Sequence, residues 1–180
     1  MRADAQRNRA KVLEAAIELF AARGLAVSVH EIADHAGVGT GTVSRHFPTK
    51  EALFDAIVRA RVEQLVRQAR RLAAEREPGD AFFEFLALMV EEGGTDRGLA
   101  DALAGAGFDV ERAATDPDHD LDAAIREILS RAQASGAVRG DVDATDVRSV
   151  IEGCIARERH GQDAAARRRM VTIASQGLRS

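Results

Sequence analysis

Tryptophan and tyrosine are absent from this 180-residue chain, there is a single cysteine, and the longest apolar run covers only residues 85–90. Each absence closes off a class of protein. A lone Cys154 can neither close an intrachain disulfide nor build a Cys-rich metal site, which fits a reducing cytosol. Lying among Val150, Ile151 and Ile155, it reads as a small buried hydrophobe. The apolar run falls far short of the ~20 residues that span a bilayer. The first ten residues are charged and polar, which excludes a secretory signal, so a soluble cytoplasmic protein with no membrane partner is expected. β-Branched residues are scattered rather than alternating, and no stretch reads as a strand. No nucleophile with its base, metal cluster or phosphate-binding loop is present, so neither metal nor cofactor is expected. An enzyme would have to rely on His119 or His160 with nearby carboxylates. The aspartates 116, 118 and 120 with Glu127 imitate a calcium loop, but Leu121 stands where such a loop needs glycine, and a helix cap is the better reading.

What the chain has in quantity is alanine, arginine, leucine and glutamate, which favour helix. The net charge of −4 argues weakly against nucleic acid. Its distribution argues the other way: residues 1–50 hold seven Lys or Arg against five Asp or Glu, a net of +2, and the remainder holds 18 against 24, a net of −6.

The basic end carries the most organised stretch. Ser28 and Glu31 form an S-x-x-E capping box that starts a helix near Val29. Gly37 permits the left-handed turn that ends it, and a second short helix fits residues 40–47. Ile32, Ala36, Val38, Val43 and Phe47 are the apolar positions of the pair, and Ala33 is small enough for a close crossing. This is the pattern of a helix-turn-helix, whose second helix enters the major groove. Thr40, Thr42, Ser44, Arg45 and His46 are then candidate DNA contacts, Gly41 lets the backbone come close to a phosphate, and Lys50 follows at the start of the next helix.

Ahead of this stretch, Val12, Leu13, Ala16, Ile17 and Phe20 set a first helix over residues 8–23, preceded by a loose basic arm of Arg2, Arg7, Arg9 and Lys11. After it, Pro48 breaks the chain, Thr49 caps a fourth helix of about six turns, and Pro78-Gly79 marks another break. Asp80 then caps an almost wholly apolar fifth helix, and Gly93-Gly94 separates a short one over 96–104. Further helices are expected over 121–135, through Val147 to Ile155, and after Gly161. The last has Ala166, Met170, Ile173 and Ala174 on one side.

With Val12, Leu13, Ala16, Phe20 and Gly24 ahead and His46-Phe47-Pro48-Thr49-Lys50-Glu51-Ala52-Leu53 behind, residues 9–58 resemble the DNA-binding domain of TetR-type transcriptional regulators. Two positions depart from that family's pattern. Ser44 replaces the usual tyrosine, and Gly39 replaces the frequent serine or threonine; both changes take away candidate phosphate contacts. The resemblance implies an all-α fold with a three-helix DNA-binding head (1–50) and a body of about six helices (51–180) for effector binding and dimerisation. It further implies a non-enzymatic homodimeric repressor of a palindromic double-stranded operator, released by a small effector.

In the body, the surplus of aromatic and flexible side chains points to an apolar effector pocket lined by Phe82, Phe85, Leu86, Met89, Leu103, Phe108 and Ile125. Val147, Val150, Ile151, Cys154, Met170 and Ile173 on the last two helices are the expected dimer face. The competing reading is a helical interaction or enzymatic domain in which the hairpin only packs.

Overall fold

The computed structural model describes residues 2–105, 107, 120–156 and 164–180. Among these residues the chain is all-α. Its eight helices are α1 (Arg2–Arg23), α2 (Val29–Ala36), α3 (Thr40–His46), α4 (Lys50–Glu75), α5 (Pro78–Gly105), α6 (Leu121–Ala134), α7 (Ala144–Ala156) and α8 (Ala164–Leu178). The described residues form two compact units. One, the head, runs to Arg61 and takes in the end of α5 from Asp96; the other, the body, holds Val62–Thr95 and the chain from residue 120 onward.

In the head, α1 begins at Arg2 rather than at residue 8. Asp4 in its first turn suits the positive helix end and pairs with Arg7 one turn on. The basic arm is therefore mostly helix, and Arg9 lies with its guanidinium 5.5 Å from the centre of the Phe47 ring. Val12, Leu13, Ala16, Leu19 and Phe20 bury one side of α1 against Ile32, Val43 and Phe47. The first turns of α4 belong to the same core through Leu53, Phe54, Ala56 and Ile57, so this unit continues past residue 50. Phe20 and Phe54 meet edge to face with ring centres 5.5 Å apart, a geometry worth about 0.5–1.5 kcal/mol beyond the area it buries.

In the body, the break expected at Pro78-Gly79 falls between α4 and α5, whereas the one expected at Gly93-Gly94 is absent. Pro78 opens α5 as its first residue, where a missing N–H costs nothing. A Cβ on Gly79 would stand 2.6 Å from Cβ of Ala137, so this glycine serves close packing. Gly93-Gly94 does not divide the helix; α5 is continuous to Gly105. A Cβ on Gly93 would run into the Ile155 side chain of α7. Glycine costs about 1 kcal/mol in a helix interior, and here close contact between helices offsets that.

Phe82, Phe85, Leu86 and Val90 of α5 pack with Ile125, Ile128 and Leu129 of α6, Val147, Ile151 and Cys154 of α7, and Leu178 of α8. Burial pushes the Cys154 thiol up, so it stays protonated and inert. Asp120 caps α6 by accepting from the Ala123 N–H at 2.9 Å, the helix-cap role expected of it. The chain after α8 is tied down by an isolated antiparallel bridge between Val138 and Arg179. Arg179 covers the Phe83 ring at 4.3 Å.

Candidate nucleic-acid interface

The capping box at the front of α2 is complete. Glu31 N–H donates to the Ser28 hydroxyl at 3.2 Å, and Ser28 N–H donates to the Glu31 carboxylate at 2.9 Å. These bonds from Ser28, with a smaller contribution from Arg23, hold the Glu31 carboxyl below its ordinary value of 4.5. A depressed folded-state value means stability that is present above about pH 4.5 and is lost as pH falls through the folded value. Glu31→Gln can keep the hydrogen bond but cannot ionise. It is expected to lower the melting temperature at neutral pH and to flatten its fall in acid, as measured by circular dichroism.

Gly37, at φ 65°, closes α2 in the left-handed conformation. Val38 N–H reaches back to the Ala33 carbonyl at 3.0 Å. This sharp turn presents α3, anchored by Val43, which is fully buried, and by Phe47. With Val43 inward, the outer side of α3 is determined: Thr40, Gly41, Ser44 and Arg45 are exposed, and Thr42 and His46 are half-buried at its edge. Lys50, exposed at the start of α4, donates to the Leu25 carbonyl at 3.4 Å. All seven positions expected to contact DNA thus belong to one unit, on or just after α3.

Arg45 lies along its own helix, with Nε donating to the Gly41 carbonyl at 2.9 Å and a terminal nitrogen 3.5 Å from the Thr42 hydroxyl. A groove of about 330 Å³ runs beside it, lined by Ala5, Asn8, Thr42, Arg45 and His46. Asn8 escaped the sequence reading. Its signal was position, since it sits one turn before Val12 on the buried stripe of α1.

The positions assigned to an effector do not all come together. Phe82, Phe85, Leu86 and Ile125 share the core of the body, with Met89 half-buried at its edge. Leu103 is instead buried in the core of the head, and Phe108 lies outside the described residues, as do His119 and His160. Of the expected dimer face, Val147, Ile151 and Cys154 are already buried within the chain, and Val150 and Met170 are half-buried. Ile173 is 61% exposed. No group of three or more His, Cys, Asp or Glu among the described residues could hold a metal. No helix among them is long and apolar enough to cross a membrane.

A capped helix, a left-handed glycine turn and a short helix with a polar, basic outer side together make a helix-turn-helix head of the kind that reads duplex DNA. Residues 12–57 match the family of bacterial regulatory proteins, tetR family, and residues 77–180 match the C-terminal domain of SbtR-like transcriptional regulators. The chain belongs to the TetR family of DNA-binding transcriptional regulators. It is similar over 99% of its length, and 99% of the other chain, to the crystal structure of a TetR transcription regulatory protein from Mycobacterium vanbaalenii, at 44% identity and a TM-score of 0.83. A second solved relative is the TetR regulator SCO0520 of Streptomyces coelicolor, with 30% identity and a TM-score of 0.78 over 95% of this chain and 98% of that one. The HTH-type transcriptional repressor KstR2 of Rhodococcus jostii is 38% identical over 79 residues, 43% of this chain. The match spans 39% of that repressor's length.

Proposed function

We propose that this protein is a cytoplasmic homodimeric repressor that holds a palindromic operator with two copies of α3 and releases it when a small apolar molecule binds the body. The helix-turn-helix within residues 1–50 would read DNA from a head unit that runs on to Arg61, and the body would carry dimerisation and effector binding. The observation that supports the DNA-reading half best is the outer side of α3. Thr40, Gly41, Ser44 and Arg45 are exposed there while Val43 is fully buried, so polar groups alone face outward. In this reading Lys50 and His46 hold phosphates, and Arg45, Thr42 or Thr40 reach base edges after Arg45 leaves the Gly41 carbonyl. Repression is the outcome the family resemblance implies; of two relatives each 38% identical, KstR2 is named a repressor and FasR an activator.

Selecting duplexes from a random-sequence pool with the purified protein tests the reading, and a palindromic consensus is the expected outcome. On that duplex, Lys50→Ala should weaken all sequences alike and reduce the salt slope by about one unit, because one phosphate contact is lost. Arg45→Ala should instead remove about 1–3 kcal/mol of discrimination at one base pair. If Lys50→Ala alters sequence preference while leaving the salt slope unchanged, the division of roles is wrong.

A further inference from the structure

We infer that the groove between the start of α1 and α3 seats one sugar–phosphate unit of the DNA backbone, with the side-chain amide of Asn8 donating to its phosphate oxygen. The inference rests on the DNA-reading role of α3 and adds a contact from outside the helix-turn-helix.

The argument starts from the α1 stripe. Val12, Ala16 and Leu19 bury the side of the helix that meets the rest of the head, and Asn8 continues this line one turn toward the N-terminus. It is half-buried, whereas the described residues on either side of it, Asp4 to Arg7 and Arg9 to Lys11, are exposed. An apolar residue there would extend the core. Asparagine with Ala5 one turn earlier leaves a groove of about 330 Å³ instead, at the small end of the roughly 300–1,000 Å³ typical of ligand sites.

The groove's chemistry identifies its occupant. Asn8, Thr42, Arg45 and His46 supply donors, and no carboxylate lines it, in a chain whose net charge is −4. Asp4, the acidic residue nearest in sequence on α1, pairs with Arg7 and is not among the lining residues. The Asn8 side chain has no hydrogen-bond partner among the described residues. Three of the lining groups, Thr42, Arg45 and His46, lie on the helix proposed to face DNA, so a ligand here is continuous with the duplex. A groove with mainly apolar walls and a few donors, beside a recognition helix, suits a deoxyribose with its phosphate oxygen, and phosphate contacts of this kind fix register without reading sequence.

The test uses the full chain, the duplex recovered by selection, and a scrambled duplex of equal length. Asn8→Ala should weaken both by about ten- to a hundredfold, the range of a hydrogen bond to a charged group, with the salt slope unchanged because a neutral amide releases no counterion. Asn8→Lys should tighten both and steepen the slope by about 0.9. Single methylphosphonate substitutions along the selected duplex supply a readout that a purely structural role would not move. One position should weaken the wild type and leave Asn8→Ala unaffected. Melting temperatures confirm that both variants fold. Wild-type binding with Asn8→Ala and Asn8→Lys both indistinguishable from it, or no phosphate whose penalty vanishes in Asn8→Ala, overturns the Asn8 contact and leaves the DNA-reading role of α3 standing. Failure of the wild type to bind any duplex overturns both.

Discussion

Replacing Ile173 with aspartate is expected to leave the fold intact, convert the proposed dimer to a monomer, and weaken binding to a two-fold-symmetric duplex by about 10²–10⁴-fold. That is the range lost when two linked binding events become independent. Ile173 is singled out by its exposure: at 61% it is the one large apolar residue left exposed among the described residues. Its helix reaches the body's core through Leu178, with Met170, Val171 and Ala174 packed against it, and Ile173 is not part of that core, so removing Ile173 takes nothing from it. Ile151 on α7 makes the opposite control. It is 4% exposed inside the body, and Ile151→Asp would place an unpaired charge there and unfold the unit. Light scattering with a melting curve separates the two outcomes. A folded Ile173→Asp variant that remains dimeric would remove α8 from the interface. A monomer with undiminished affinity for the palindrome would remove the need for two heads.

The parts of this molecule that were legible in its sequence are those governed by local chemistry. Ser28, Glu31 and Gly37 announce α2 and its turn because cap and glycine geometry depend on residues three to six apart. Val43 and Phe47 announce which side of α3 is inward. Asp120 likewise reads as a cap. What was hidden depends on distant neighbours. Gly93 looks like a helix breaker until Ile155 of α7 is seen filling the space where its side chain would be. Pro78-Gly79 marks the boundary between α4 and α5, as its sequence suggests, but the close packing of Gly79 on Ala137 could not be read from it. Asn8 looks like an ordinary polar residue at a helix start until Thr42, Arg45 and His46 are found across the groove. Periodicity also left open which side of the last helix is free, since Met170 and Ile173 are a turn apart and only the fold separates a half-buried residue from an exposed one.

Phe85→Ala is expected to destabilise the body by about 3–5 kcal/mol, the usual cost of truncating a buried phenylalanine, and to remove the proposed effector response. Phe85 is 3% exposed and Phe82, Leu86 and Ile125 are 1% exposed in the same core. An apolar effector entering among them must therefore displace packed side chains, and that displacement is what could couple its binding to DNA release. An effector shifts the equilibrium only by binding the low-affinity arrangement more tightly, a coupling of typically about 1–3 kcal/mol. In the wild type, a matching ligand should raise the melting temperature and lower affinity for the selected duplex together. In Phe85→Ala the space exists beforehand, as in other apolar cavities cut into cores. Small apolar molecules should then restore part of the lost melting temperature without changing affinity for DNA. The screen is run on both proteins by thermal shift and fluorescence anisotropy, using apolar metabolites and drugs. Ligands that stabilise the wild type but never alter its affinity for the duplex would leave a binding cavity without a regulatory role. A Phe85→Ala variant that still releases DNA on ligand binding would place the effector elsewhere in the body.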